Sequence, residues 1–296
     1  MAELQAANDG LYRLGFAGDT LNTAWYMRAL TNSSHVSVDY LTSIGTDQLS
    51  KKMLAFLKAG GIGTRFVGEI SDRTVGLYLI TLTGAERNFT YWRSASAARL
   101  LAQDEKALYS AFERADVIYI SGITLAILSP QHRKSFLSVL REMKNRNVMI
   151  AFDTNTRRRL WPSDAAMKKA MIEAYKVATI ALPTFDDDKA VFGDHTPAET
   201  IKRIASYGVG EIVVKDGEKA CFVFTDNKVV SVKPEPVSGV VDTTGAGDSF
   251  NAGYIAARLA EKSPEQAAKF AHRVAGRVIC GRGALLDMVG FRDLAL

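Results

Sequence analysis

Val241-Asp242-Thr243-Thr244-Gly245-Ala246-Gly247-Asp248-Ser249-Phe250 sets the reading of the whole chain. Two glycines bracket one small residue and a carboxylate follows. Phe250, Gly253, Tyr254 and Ala257 then recur at i, i+3, i+4 and i+7. That spacing predicts a helix with one apolar stripe. The loop therefore turns into a helix N-terminus, with Asp248 at the junction. Free N–H groups and the positive end of the helix dipole make such a turn an anion site. A carboxylate beside an anion is repelled, unless its work is to take a proton from a hydroxyl that then attacks a phosphate. The plainer alternative is an Asp N-cap with glycines for a tight turn.

Upstream of the loop, strands and helices alternate. Residues 117–121, 148–152, 179–182 and 212–215 read as strands, separated by helices over 130–144, 163–175 and 197–207. This predicts a doubly wound α/β fold with a mostly parallel central sheet. Ligands of such sheets bind beyond the carboxyl ends of the strands. Three polar clusters occupy those ends: Asp153-Thr154-Asn155-Thr156-Arg157, Pro183-Thr184-Phe185-Asp186-Asp187-Asp188, and Asp216-Gly217-Glu218-Lys219 after Lys215. The three aspartates suit a solvated first helical turn and a Mg²⁺ site equally well. Downstream, a helix from Ser263 ends at Cys280-Gly281-Arg282-Gly283-Ala284. Those glycines read either as a close approach to a nucleotide or ion, or as a plain helix stop.

The first third is different. Residues 1–10 are polar, with no apolar strand ahead of them. Residues 11–16 form a short β-like run, and Ala17-Gly18-Asp19-Thr20-Leu21-Asn22 opens a helix to about residue 30. Asp19 and Asn22 either cap that helix or bind a polyhydroxylated ligand. Residues 36–41 read as a strand, followed by a helix to residue 59. Strands over 64–67, 75–82 and 88–92, with a turn at Thr83-Gly84-Ala85, predict a small separate sheet with 11–16 as its fourth strand. Its Tyr78, Tyr91 and Trp92 could simply pack, but Arg93 beside Tyr91 is a plausible carboxylate clamp.

The 296 residues suffice for one large α/β domain with a small appendage. The net charge of +5 is spread along the chain, and Arg157-Arg158-Arg159 is too short a cluster to indicate nucleic acid. Cys221 and Cys280 each lie in an apolar run, which predicts buried, reduced thiols in a cytoplasmic protein. No apolar run reaches membrane-span length and no signal peptide is visible, so no membrane partner is expected.

The motif DTTGAGDSF resembles the ribokinase-like family of ATP-dependent sugar kinases. GFAGDTLNTA, FTYWRSASAA, YISGITLAILSP, DTNTRRRLW and VVKDGEKAC resemble, in the same order, its branch acting on 2-keto-3-deoxygluconate. The resemblance covers nearly the whole chain. It implies one kinase domain, with a lid from about 10–17 and 62–94, and phosphoryl transfer from ATP to the 6-hydroxyl of that open-chain acid. It makes Asp248 the catalytic base, and the N–H groups of Gly245, Ala246 and Gly247 the anion hole. The helix dipole is expected to keep Asp248 at a low pKa. On the substrate side the match implies Ala17, Gly18, Asp19, Thr20, Leu21, Tyr78, Tyr91, Trp92, Arg93 and Arg157, the arginines selecting an acid over fructose- or ribose-type sugars. On the nucleotide side it implies Asn155, Thr156, Arg157, Lys215, Asp216, Gly217, Glu218, Lys219 and Ala220, together with the loop 245–248. Mg²⁺ is expected at Asp187, a monovalent cation near Asp242 and Gly281, and a homo-oligomer through the lid sheet. The alternatives are a kinase for another sugar and a non-catalytic sugar-binding relative. Two departures stand out. The family's first apolar strand, ahead of the segment matching Met1-Ala2-Glu3-Leu4, is absent, so a misplaced start or a truncation is expected, with a gap beside a central strand. Ala17 also stands where a glycine is usual.

Overall fold

In the computed structural model, which describes residues 1–7, 10–83 and 86–296, the first third forms two small sheets. The predicted turn at 83–85 lies mostly outside the described residues. The first elements are β1 (Ala2–Ala6), β2 (Tyr12–Phe16), α1 (Asp19–Leu30), β3 (Thr42–Ile44), α2 (Gln48–Ala59), β4 (Val67–Glu69), β5 (Leu77–Thr83) and β6 (Glu86–Trp92). Then come α3 (Glu105–Phe112), β7 (Val117–Ser121), α4 (Gly122–Ile127), α5 (Pro130–Asn145), β8 (Met149–Asp153), α6 (Asp164–Val177), β9 (Ile180–Ala181), α7 (Phe185–Phe192), α8 (Pro197–Ala205) and β10 (Glu211–Val214). The chain closes with β11 (Cys221–Thr225), β12 (Lys228–Val232), α9 (Ala246–Leu259) and α10 (Pro264–Val278).

The main sheet has the order β12-β11-β10-β9-β8-β7. β7 to β10 run parallel, and β11 and β12 add antiparallel. Side chains alternate between its faces. Ile150, Phe152, Ile212 and Val214 enter one core with α5, α6 and α8, whereas Ala151, Ile180 and Val213 enter the other with α1, α9 and α10. Every residue of α9 from Ser249 to Ala257 is buried, so the predicted stripe belongs to a helix enclosed on all sides. Gly253 permits this, because a Cβ there would come 3.0 Å from the Ala271 Cα of α10.

The small sheet expected to form the lid has the order β2-β1-β5-β6, with β1 antiparallel to β2 and parallel to β5. Three expectations are corrected here. Residues 2–6, read only as polar, are a strand of that small sheet, because β2 and β5 on either side complete their hydrogen bonds. Residues 64–67 add nothing to the lid, since β4 pairs with β3 in a separate two-stranded sheet. Residues 36–41 form no strand and are held by Tyr40 N–H to Gly63 O (2.9 Å) and Gly63 N–H to Val38 O (2.7 Å). Of the cysteines, Cys221 is buried, and burial pushes its thiol up to about 12; Cys280, expected to be buried, is exposed at the end of the chain's last long helix. Among the described residues no helix is long and apolar enough to cross a membrane.

Candidate active site

The turn into α9 is built on Gly245, which has a left-handed φ of 80°. A Cβ there would lie 2.8 Å from Ala284 O, so both backbone and space require glycine. Asp242 braces the turn: Oδ1 accepts from the Thr244 N–H (3.1 Å) and hydroxyl (2.7 Å), and Oδ2 from the Gly283 N–H (2.6 Å). Gly281 packs against Leu286. The Ala246 N–H donates to Thr243 O at 3.2 Å. Of the three N–H donors expected for an anion hole, that of Ala246 is thus engaged within the turn.

Asp248 projects into the cavity beside α1. Asn22 Nδ2 donates to its Oδ2 at 2.7 Å, and Thr23 Oγ1 donates to its backbone carbonyl at 3.3 Å. Burial, and after it the charge of Asp19, push the Asp248 carboxyl up to about 7, against the pull of the Asn22 hydrogen bond. The expectation of a dipole-lowered pKa is therefore wrong. Desolvation and a like charge outweigh the helix terminus.

Asp19 starts α1, and its Oδ2 accepts from Ser121 Oγ at the end of β7 and from Asn155 Nδ2 (3.1 Å) after β8. Asn155, expected on the nucleotide side, is thus tied to Asp19, expected on the substrate side. Thr20 shares a hydrogen bond with the Tyr40 hydroxyl at 3.0 Å. Ala17 and Leu21 are 3% and 0% exposed and lie in the core, off the cavity wall. Ala17 has no positive φ, so its methyl is accommodated.

From the lid, the Tyr78 hydroxyl donates to Glu3 on β1. The Arg93 guanidinium lies 4.1 Å from the centre of the Tyr91 ring, and burial draws Arg93 below its usual pKa. Gly18, Asp19, Tyr78, Tyr91, Arg93 and Arg157 line one cavity of about 1120 Å³ together with Asn155, Asp187, Lys215 and residues 243–248. Trp92 does not join them; its side of β6 faces solvent.

Across the loop, Lys215 Nζ donates to Asn251 Oδ1 (2.9 Å) and pairs with Asp153 Oδ1 (3.3 Å), while Asn251 Nδ2 donates to Asp153 Oδ2 (2.8 Å). This buried network fixes a cation beneath Gly247. The turn at 216–220 lies off the cavity wall, as does Thr156. The aspartate run splits three ways. Asp186 is exposed. Asp187 lines the cavity, accepts the Thr156 N–H (3.0 Å), and is raised by burial. Asp188 is fully buried with Arg203 (2.6 Å), Tyr175 (2.9 Å) and Thr154 (3.0 Å), and burial raises it to about 6 despite that arginine. Asp186 thus fits the solvated turn, Asp187 is the carboxylate of the run that reaches the cavity, and Asp188 is structural. No cluster of three metal-binding side chains occurs among the described residues. A single cavity carboxylate suits Mg²⁺ that takes its other ligands from phosphate and water.

Glu3, Ser121, Asn251 and Arg203 do not stand out in the sequence as site residues, whereas Asp153 lies in a polar cluster already placed at a strand end. Ser121 also ends a parallel strand, a position that could have marked it.

The sequence model of the pfkB family of carbohydrate kinases matches residues 6–288. The 2-dehydro-3-deoxygluconokinase of Haemophilus influenzae is 39% identical over 285 residues, covering 94% of this chain and 90% of that one. That of Dickeya dadantii is 38% identical, covering 97% and 94%. Among solved structures, a putative ribokinase II from E. coli in complex with ATP and Mg²⁺ superposes with a TM-score of 0.80 at 22% identity, covering 96% of this chain and 91% of that one.

Proposed function

This chain belongs to the pfkB family of carbohydrate kinases, and we propose that it phosphorylates the 6-hydroxyl of 2-keto-3-deoxygluconate with ATP. One observation carries the choice of an acid. Arg93 is stacked on Tyr91 in the same cavity as Arg157, on the lid side of Asp248. A neutral sugar gives two cations no partner, whereas a carboxylate accepts charge-assisted hydrogen bonds from both.

In the reaction, Asp248 takes the proton of the acceptor hydroxyl. That oxygen forms a bond to the γ-phosphorus, and the bond from phosphorus to the ADP oxygen breaks. The N–H groups of Gly245 and Gly247, with Lys215 behind them, face the charge that spreads over the transferred group. A base poised near neutral pH suits this step better than a strongly acidic carboxylate. Asp19 and Asn22 hold the acceptor and Asp248 in register. Mg²⁺ held at Asp187 would screen the phosphate charge. The monovalent cation expected near Asp242 belongs to the same reading. Exposed Tyr12 and Leu14 on the lid's outer strand β2, with Leu11 just before it, support pairing of two lids in a homo-oligomer. ATP as co-substrate and free thiols suit the cytoplasm.

The test is Arg93→Ala, assayed on the keto acid and on fructose. Losing charge-assisted hydrogen bonds of about 1.5–3 kcal/mol is expected to raise the KM for the acid by roughly 10- to 150-fold and leave any fructose turnover unchanged. Unchanged kinetics on the acid would reject the clamp.

A further inference from the structure

Asn251 lies in the enclosed part of α9, and none of its surface is exposed. An apolar residue would serve packing at such a position, and a buried amide is costly unless its hydrogen bonds are made. Here they reach three strands of the main sheet. The Asn251 Oδ1 accepts from Lys215 Nζ (2.9 Å), just past β10. Its Nδ2 donates to Asp153 Oδ2 (2.8 Å) at the end of β8 and to the Tyr119 hydroxyl (3.0 Å) on β7. These partners fix which way the amide points. An ammonium only donates and a carboxylate only accepts, so the oxygen faces Lys215 and the nitrogen faces Asp153.

Asn251 stands one turn beyond Gly247 on α9, at i+4, and helical side chains lean toward the N-terminus of their helix. The amide is therefore carried toward the anion turn. The Lys215 ammonium sits there too, since the Cβ that Gly247 lacks would lie 3.8 Å from Nζ. The main chain of Lys215 is held by its N–H to Pro183 O (2.9 Å) and by the Phe185 N–H to its own carbonyl (2.8 Å). Its four-carbon stem has many rotamers and no such hold. Two groups compete for the end of that stem. The Asp153 carboxylate, 3.3 Å from Nζ, draws it toward β8, whereas the Asn251 oxygen, at 2.9 Å, keeps it under the turn. A neutral oxygen also holds the ammonium without cancelling its charge, which a second carboxylate would do.

We propose that Asn251 is a positioning residue for phosphoryl transfer: it holds the Lys215 ammonium beneath Gly247, where that charge meets the γ-phosphoryl group as it moves. The proposal rests on the phosphoryl-transfer reading given above. An aimed charge acts on the transition state, so its loss belongs to kcat and not to either KM.

The test is a double-mutant cycle on the full chain, with Asn251→Leu, Lys215→Met and the two combined. Steady-state kinetics with ATP and the keto acid are read per folded enzyme, beside thermal unfolding. Losing one preorganised group that faces transition-state charge lowers kcat by about 10²- to 10³-fold, the loss expected for Lys215→Met. Asn251→Leu is expected to lower kcat by roughly tenfold or more and to leave both KM values within about threefold. The combined variant is expected to lose no more than Lys215→Met alone, because Asn251 acts through that lysine. Asn251→Asp keeps an oxygen toward Lys215, and a proton shared with Asp153 takes the place of the N–H. It is expected to retain most of the parent kcat, and it decides the matter if Asn251→Leu fails to fold. Additive losses in kcat would overturn the proposal. So would a fall in Tm with kcat unchanged, a rise in KM alone, or Asn251→Asp as slow as Lys215→Met. A parent that turns over ATP with no sugar or sugar acid would remove the phosphoryl-transfer reading, and this proposal with it; any turnover in the parent leaves the variants to decide.

Discussion

Asp248→Asn separates the chemistry of this residue from its cost to the fold. The carboxyl is raised from an ordinary 3.8 to about 7. A group that holds its proton more tightly when folded makes the native state bind more protons than the unfolded chain between those two values. Stability therefore falls as pH rises through that window and stays lowered above it. The raised pKa corresponds to at most about 4 kcal/mol by pH 8, at 1.36 kcal/mol per pH unit. Asparagine keeps the volume and the hydrogen bond from Asn22 and removes the charge that faces Asp19. The variant is expected to lose about 10²- to 10⁴-fold in kcat, the usual contribution of a positioned base. It is also expected to unfold several degrees higher than the parent at pH 8 and within a degree or two of it near pH 4. Thermal unfolding of both proteins at the two pH values, with turnover at pH 8, makes the comparison. A Tm gain independent of pH would refute the strained carboxylate. Turnover within a few-fold of the parent would refute the base.

Further outcomes follow from the same geometry. In the parent enzyme kcat/KM is expected to rise with pH to a plateau above about 7, because only the ionised Asp248 accepts a proton; a flat profile from pH 5.5 to 8 would count against it. Arg203→Leu leaves Asp188 buried without its cation and is expected to cost about 3–5 kcal/mol in denaturant unfolding. Gly245→Ala places a methyl 2.8 Å from Ala284 O at a φ of 80°. It is expected to destabilise by about 1–2 kcal/mol and depress kcat more than KM, read from steady-state kinetics and thermal unfolding.

What could be read from the sequence was local. The alternation of Ile150, Ala151 and Phe152 already contained both faces of the main sheet, and the 245–250 run contained the turn into α9. Period-2 patterning does not say whether a partner strand exists. Residues 36–41 have the pattern and form no ladder, whereas Ala2-Glu3-Leu4-Gln5-Ala6 has little apolar bulk and becomes a strand because β2 and β5 flank it. The pKa of Asp248 departs from expectation for a related reason. The sequence shows the helix terminus that lowers it, but the charge of Asp19 and the loss of water arrive only with tertiary packing. The aspartate run was ambiguous because helical rotation sends adjacent residues to solvent, cavity and core, and only the fold decides which goes where.

The central claim, phosphoryl transfer to a keto sugar acid by Asp248, is tested most directly by following ADP release with 2-keto-3-deoxygluconate, fructose and ribose in turn. The expected result is ATP turnover that depends on the acid, with phosphorus on its 6-oxygen and kcat/KM at least a hundredfold above either neutral sugar. Preference for fructose or ribose, or binding of the acid without any ADP, would contradict it.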